Sequence, residues 1–281
     1  MTDLCIMVAP NGARRTPADH PALPVTAEAL ARTALDCRAV GAAAVHLHVR
    51  DGAMRHTLDP HIYRSAIAAV ATACPGMPIQ ATTEAAGIFD LDAQVAAVEG
   101  LRPACLSFAL GEMMAQGEAR GFAILARLQA LGIGLQMILY DAAQIRAYAA
   151  LLDSGRLEPD GPPRLLLVVG RYSATQDSEV SDFDALHATL TETGLASSAL
   201  WMTCAFGRGE MVCLERTIAL GGHARVGFEN AIVDAAGSPA RDNAERVAQV
   251  AALAARHGRT LGDAALARHV LGQRHDGPLL P

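Results

Sequence analysis

The 281-residue chain lacks the features that mark a membrane protein, a nucleic-acid-binding protein or a secreted protein. It contains no apolar run of the roughly 18 residues that a membrane-spanning helix needs. Its net charge is -6 and its basic residues are scattered, whereas nucleic-acid binding requires a clustered basic face. The first residues show no basic region followed by a long apolar stretch, so we see no signal peptide and expect a cytoplasmic protein.

The cysteines also lack a pattern, because none of the six forms a Cys-x-x-Cys pair. In a cytosolic chain such residues are expected to be free thiols, buried as small apolar side chains. They are Cys5, Cys37, Cys74, Cys105, Cys204 and Cys213.

Short apolar runs alternate with Ala/Leu-rich helical stretches along the whole chain. The predicted strands span 4–9, 43–49, 78–82, 104–109, 133–139, 164–170, 199–205 and 223–228. The predicted helices lie near 27–39, 61–73, 91–99, 118–131, 142–153, 181–193, 210–220 and 241–256. Eight strands that are each followed by a helix predict an α/β fold, a single-domain (β/α)8 TIM barrel over 1–281 with a loosely ordered tail at 273–281. An open doubly wound sheet is the alternative.

The segment 43–51, AAVHLHVRD, reads as a buried strand that carries two histidines. Because side chains alternate along a strand, His46 and His48 point to the same face. Two imidazoles on one face provide half of a metal site, although two unrelated, hydrogen-bonded histidines would give the same pattern. A barrel would place them near the C-terminal end of its second strand, where active sites of this fold lie.

The segment 221–230, GGHARVGFEN, reads as a turn, a final strand and polar groups at the end of that strand. The eighth strand of a barrel closes beside the first, so Glu229 would come within reach of His46 and His48. Two histidines and a glutamate form a known catalytic zinc set. The alternative is a strand-end carboxylate that pairs with Arg225 or caps a helix.

These segments together resemble the β-keto acid cleavage enzymes. The resemblance extends from the first strand to the last and rests on 11–13, 21–28, 41–51, 80–83, Trp201 with 207–208, and 221–229. It implies a homo-oligomeric barrel, a tetramer in this family, that holds one Zn²⁺ through His46, His48 and Glu229. It also implies a reaction in which a β-keto acid and acetyl-CoA give acetoacetate and a new acyl-CoA.

The resemblance assigns further residues to the substrate site. Thr82 and Ser107 stand at positions where the family carries hydroxyl groups, and Arg225 stands at the position of its eighth-strand arginine. We expect these three to act on the substrate, with Thr83 and Asn11 as additional substrate-binding residues. The sequence shows no Gly-rich phosphate-binding loop for CoA. The basic turns at 170–171 and 207–209 could contact its phosphates, but they could equally be ordinary turns between a strand and a helix.

Three departures from the family pattern affect the predicted chemistry. The family aspartate after the metal glutamate is Asn230 here, which we still expect at the catalytic position, where its amide can hold a hydrogen bond but cannot act as a general base. Gln136 and Ile138 replace two glutamates of the fifth strand, and Arg14 replaces a first-loop glutamate that faces an ammonium group. A guanidinium at that position favours a substrate with an anionic or polar tail, unless Arg14 is simply a solvated loop residue.

The missing carboxylates leave the base unassigned. Four carboxylates follow strand ends and are candidates to replace them, namely Glu84, Glu112, Glu210 and Asp234. The departures also keep two alternatives open. One is a diverged zinc-dependent hydrolase or lyase, and the other is a non-catalytic barrel that binds a carboxylate.

Overall fold

The computed structural model describes residues 3–171, 173 and 175–274. Within them, eight parallel strands form a closed barrel in the order β1-β10-β9-β8-β7-β6-β5-β2, and β3 and β4 form a separate antiparallel pair. The strands are β1 (Ile6–Val8), β2 (Ala44–Leu47), β3 (Val49–Arg50), β4 (His56–Thr57), β5 (Ile79–Thr82), β6 (Cys105–Ala109), β7 (Gly134–Leu139), β8 (Arg164–Val169), β9 (Leu200–Ala205) and β10 (His223–Val226). The predicted (β/α)8 barrel is therefore confirmed, and the open sheet is not the fold.

Helices surround the barrel on its outer face. They are α1 (Ala27–Ala39), α2 (Pro60–Ala73), α3 (Leu91–Leu101), α4 (Leu110–Met114), α5 (Glu118–Ala130), α6 (Ala142–Asp153), α7 (Val180–Glu192), α8 (Leu195–Ser198), α9 (Glu210–Ala219), α10 (Asn243–Arg256) and α11 (Ala264–Leu271). Two of the starts show how the sequence sets a boundary, because Thr26 accepts a hydrogen bond from the amide of Ala29 and Asp59 accepts one from His61. No helix of the described part is long and apolar enough to cross a bilayer.

The strands separate the core into an outer and an inner layer. On β8, Leu165 and Leu167 pack outward with helix residues such as Phe183, while Leu166 packs inside the barrel with Met202 and Cys204. Alternation along a parallel strand that is covered on both faces produces these near-continuous apolar runs. All six cysteines are buried and unpaired, as the sequence predicts.

The structure corrects the expected elements in two respects. The strand predicted over 43–49 ends at Leu47, so His48 lies between β2 and the short β3–β4 hairpin. The short helices α4, α8 and α11 and this hairpin were not predicted, because elements of so few residues show little hydrophobic periodicity. The expected loose tail lies mostly at 275–281, outside the described residues.

Candidate active site

Three potential metal ligands meet at the C-terminal end of the barrel strands. His46 lies on β2, His48 follows it directly, and Glu229 follows β10. The two Nε2 atoms are 3.2 Å apart, and Glu229 Oε2 is 3.7 Å from His46 Nε2 and 3.5 Å from His48 Nε2. These separations of 3.2 to 3.7 Å are short enough for a single metal ion to lie about 2 Å from each donor.

The chemistry of these donors fits a divalent cation such as Zn²⁺. Burial lowers the pKa of His46 and of His48, which favours the neutral imidazole that binds metals. Glu229 Oε2 is buried and has no hydrogen-bond partner among the described residues. A carboxylate oxygen left unpaired beside two imidazole nitrogens is costly in an apoprotein, and a bound cation removes that cost.

The local sequence holds Glu229 in place from two sides. Gly12 has a φ of +63°, and a Cβ atom there would lie 2.6 Å from Glu229 Cγ, so the close approach requires glycine. On the other side, Arg225 Nη2 donates a hydrogen bond to Glu229 Oε1. Arg15 Nη1 donates to the backbone oxygen of Glu229 at 3.0 Å. The metal carboxylate is thus fixed by its side chain and by its backbone.

A chain of amide hydrogen bonds holds His46 from inside the barrel. His46 Nδ1 lies 2.8 Å from Gln80 Oε1, and Gln80 Nε2 donates to Gln136 Oε1 at 3.1 Å. Gln136 Nε2 in turn donates to the backbone oxygen of Leu165 at 3.5 Å. A proton on Nδ1 leaves the Nε2 atom of His46 with a free lone pair, directed to the space between the three donors. Outer hydrogen-bond partners commonly orient metal-binding histidines in this way.

The cavity above this site contains most of the residues expected to bind substrate. Its volume is about 430 Å³, and Thr82, Thr83, Ser107 and Arg225 line it together with His46 and Glu229. Ser107 Oγ is buried without a hydrogen-bond partner among the described residues, so it is poised for an external one. Thr83 Oγ1 instead donates to the Ser107 backbone oxygen at 3.0 Å.

A second cavity of about 400 Å³ adjoins the first and contains the loop after β1. Asn11 and Arg14 line it, and Arg14 is exposed, with no ion pair found in the part of the chain that the structure describes. Asn11 Nδ2 donates to the backbone oxygen of His48 at 3.0 Å, while its Oδ1 has no partner there. Asn11 therefore joins the loop to the metal site.

Asn230 and Ile138 occupy different surroundings. Ile138 lines the cavity above the metal donors, as the position of the lost glutamate suggests. Asn230 is fully buried and is not among the residues that line either cavity. Its side chain lies near Cys204, whose thiol pKa is raised to about 11 by burial.

Only two of the four candidate carboxylates reach the cavity, namely Glu84 and Glu112. Glu210 is fully buried and pairs with Arg246, and burial raises the pKa of Glu210 to about 7. Asp234 Oδ1 accepts hydrogen bonds from two amides of its own loop, each at 2.9 Å.

For three residues near the site, the sequence predicted none of the following contacts. Arg171 pairs with Glu84 at 3.0 Å, and the ring of His56 lies 5.3 Å from that of His48. Gln80 holds His46, as described above. Arg171 follows a strand end and was noted as a basic turn, but only the closed barrel reveals what it contacts.

A further cavity of about 620 Å³ lies at the other end of the barrel, beside Gly134 and Arg164 at the starts of β7 and β8. The metal donors are not among its lining residues. Barrel enzymes act at the opposite, C-terminal end of the strands, so we place the chemistry at the His46–His48–Glu229 end.

Fold and site together define a (β/α)8 barrel with a candidate two-histidine, one-glutamate metal centre at the catalytic end. A family model described as beta-keto acid cleavage enzyme matches residues 3–272. The chain therefore belongs to the β-keto acid cleavage enzyme family, and the resemblance drawn from the sequence is confirmed.

Individual relatives support the same assignment. The chain is 28% identical over 280 residues to 3-oxoadipate:acetyl-CoA acetyltransferase of Cupriavidus necator, covering 97% of this chain and 96% of that protein. It is 27% identical to 3-keto-5-aminohexanoate cleavage enzyme of Acetoanaerobium sticklandii, covering 97% and 99%. Among solved structures, a binary complex of ObcA with oxaloacetate has a TM-score of 0.69 at 20% identity, over 90% of this chain and 67% of that one, which supports the fold.

Proposed function

We propose that this protein is a zinc-dependent enzyme that converts a β-keto acid and acetyl-CoA into acetoacetate and a new acyl-CoA. The observation that carries the proposal is the convergence of His46, His48 and Glu229 at the catalytic end of a barrel that belongs to this family. Two curated relatives are named for acetyl-CoA-dependent transfer, the 3-oxoadipate enzyme and 3,5-dioxohexanoate:acetyl-CoA acetone transferase of Paraburkholderia graminis.

The donor set favours zinc, since two imidazoles and a carboxylate with an open position suit catalytic Zn²⁺. Zinc bound there would polarise the substrate ketone as a Lewis acid and stabilise enolate charge. The chain contains no lysine, so it cannot activate the ketone through a lysine Schiff base. Activation of the ketone must therefore come from a group that stabilises the negative charge on its oxygen, which is the role proposed for zinc.

Side chains of the cavity bind and orient the β-keto acid. Ser107 offers its unpaired hydroxyl to the substrate carboxylate, and Thr82 offers a second hydroxyl beside it. Arg225 holds Glu229 through one nitrogen and lines the same cavity, where its positive charge favours an anionic substrate. Thr83 and Asn11 complete the pocket by fixing the backbone at Ser107 and His48.

The substrate we propose carries an anionic tail. Arg14 lines the cavity next to the metal donors and has no ion pair among the described residues, so a carboxylate at the distal end of the substrate would satisfy it. The relative named for 3-oxoadipate acts on a β-keto dicarboxylate, which has such a tail.

We further propose a cytoplasmic location and a homotetrameric assembly. Six unpaired thiols suit a reducing compartment. The tetramer rests on the family resemblance, and light scattering coupled to size-exclusion chromatography tests it directly.

The test of the reaction is an assay of zinc-loaded protein with acetyl-CoA labelled by carbon-13 in the acetyl group. The panel comprises 3-oxoadipate, 3-keto-5-aminohexanoate and a β-keto acid with an uncharged tail. We expect a new acyl-CoA without label and acetoacetate with label, fastest for the dicarboxylate. If stoichiometrically loaded protein yields no new acyl-CoA from any substrate, the chain performs a different reaction or only binds a carboxylate.

A further inference from the structure

The proposed reaction needs a group that removes a proton from C2 of the β-keto acid, and Asn230 and Ile138 cannot do so. We propose that Glu84 is the catalytic base of this chain. This inference rests on the proposed function and deepens it, because it supplies the proton acceptor that the two substitutions remove. The three observations that support it are the position of Glu84, its contacts and the partners of the other carboxylates.

Glu84 stands at the junction of the two cavities. It follows the end of β5 and lines both the cavity above the metal donors and the adjoining cavity that contains Arg14. Its Oε2 is 3.8 Å from His48 Nε2, and its side chain is 23% exposed. A carboxylate there is open to substrate from both cavities and close to the centre at which the ketone would be held.

Three contacts hold Glu84 in this position. Arg171 Nη2 pairs with Oε1 at 3.0 Å, and the Arg171 guanidinium carbon lies over the Phe206 ring, 5.2 Å from its centroid. The backbone of Glu84 is fixed as well, since its amide donates to Thr82 Oγ1 at 3.0 Å and its carbonyl lies 2.9 Å from His56 Nε2. Oε1 is thus engaged by Arg171, and Oε2 is directed toward the metal donors.

The other three candidate carboxylates are held by partners of their own. Glu112 lines the same cavity, but its Oε2 accepts a hydrogen bond from Gln94 Nε2 at 2.6 Å, and burial raises its pKa. The buried Glu210 carboxylate pairs with Arg246, and the Asp234 carboxylate accepts hydrogen bonds from amides of its own loop. Among the four carboxylates that follow strand ends, Glu84 alone combines access to both cavities with proximity to the metal donors.

The proton balance of the reaction closes with one carboxylate. Glu84 accepts the C2 proton, and the electron pair of the C–H bond becomes the enolate that attacks the acetyl carbonyl of acetyl-CoA, with CoA leaving as the thiolate. The thiolate then attacks the original ketone, and the C–C bond breaks to give the new acyl-CoA and the enolate of acetoacetate. Protonated Glu84 returns its proton to that carbon, so the base is regenerated.

Exchange of the C2 protons with deuterium oxide tests this assignment separately from the full reaction. Initial rates above the buffer rate are measured with zinc-loaded protein and 3-oxoadipate in the absence of acetyl-CoA, together with zinc content per chain. We expect Glu84→Gln to slow both exchange and acyl-CoA formation by about 100-fold or more while it retains zinc, and Glu84→Asp to recover part of the rate. Glu112→Gln is the matched control, since it removes a carboxylate of the same cavity.

Several results would overturn the assignment. Exchange by Glu84→Gln within about threefold of wild type would exclude Glu84 as the base, on the scale expected for general-base catalysis. Loss of zinc from Glu84→Gln would make Glu84 a metal ligand instead, and a large loss in Glu112→Gln alone would transfer the role to Glu112. If the wild type forms no new acyl-CoA, the proposed function fails and this role falls with it.

Discussion

His46 and Gln80 are cross-strand neighbours in the barrel, and a 2.8 Å contact between Nδ1 and Oε1 joins their side chains. The contact fixes which nitrogen of His46 carries the proton. Because the Gln80 amide is held in turn by Gln136, the orientation of a metal ligand depends on a residue that the metal does not touch.

We therefore expect Gln80→Met, which keeps the volume but removes the acceptor, to weaken zinc binding by about 10- to 100-fold. Competition with a chromophoric chelator measures the affinity. Gln136→Met serves as the matched control, since it removes only the next link of the chain and should have a smaller effect. Unchanged zinc affinity in Gln80→Met would mean that packing alone orients His46.

Removal of one metal donor should empty the site. Glu229→Gln keeps the shape of the side chain but loses its negative charge, and it also weakens the contact with Arg225. We expect zinc per chain, measured by elemental analysis after dialysis, to fall from about one to a small fraction, since a catalytic site needs three protein donors. Stoichiometric zinc in this variant would place the metal elsewhere.

The charge at position 14 should select the substrate. We expect Arg14→Gln to raise the KM for 3-oxoadipate about tenfold, equivalent to about 1.4 kcal/mol for one partly exposed charged hydrogen bond. The KM for a β-keto acid with an uncharged tail should stay unchanged. Arg55→Gln is the control, because Arg55 is another exposed loop arginine and pairs only with Asp51 among the contacts found. An equal rise for both substrates would assign Arg14 to general binding.

Acid should destabilise the protein through His223, a buried residue far from the metal donors. Burial lowers the pKa of His223 from 6.5 to about 4, and its Nδ1 accepts a hydrogen bond from the Cys5 amide at 3.1 Å. His223 is protonated near pH 6.5 in the unfolded chain but only near pH 4 in the folded protein. The contribution of neutral His223 to the free energy of unfolding is therefore complete above pH 6.5 and is lost as the pH falls toward 4.

Between pH 7 and pH 5 the His223 contribution should fall by about 2 kcal/mol. His223→Gln keeps an acceptor for the Cys5 amide but cannot titrate. Urea denaturation at both pH values, with equal zinc loading, should therefore show a smaller pH dependence of the free energy of unfolding in the variant. An identical dependence in both proteins would mean that His223 is protonated equally in the folded and unfolded states.

The barrel and the pair of histidines at the end of its second strand could be predicted from the sequence, because both depend on short-range patterns. Eight apolar runs mark the strands, and His46 and His48 are two residues apart. Glu229 could be added only because a closed barrel brings its last strand beside its first. The pairing of β10 with β1, and of β1 with β2, confirms that expectation.

The contacts around those donors could not be predicted, since they join segments that are distant in the chain. Four carboxylates follow strand ends and look equivalent in the sequence, yet only Glu84 faces both cavities. Its partner Arg171 belongs to a loop three barrel strands away, and nothing in either segment indicates the pair. Such choices are made by side-chain packing after the barrel has closed.

The neighbouring arginines of the first loop have unequal freedom to change. Arg15 binds the backbone oxygens of Phe228 and Glu229, and Arg50 binds the backbone of the loop at Gly12 and Arg15. Arg14 is exposed beside them, lines the second cavity and has no ion pair among the described residues. A substitution at position 14 alone can therefore change the substrate preference during evolution. A substitution at position 15 would also disturb the backbone of Glu229 and with it the retention of the metal.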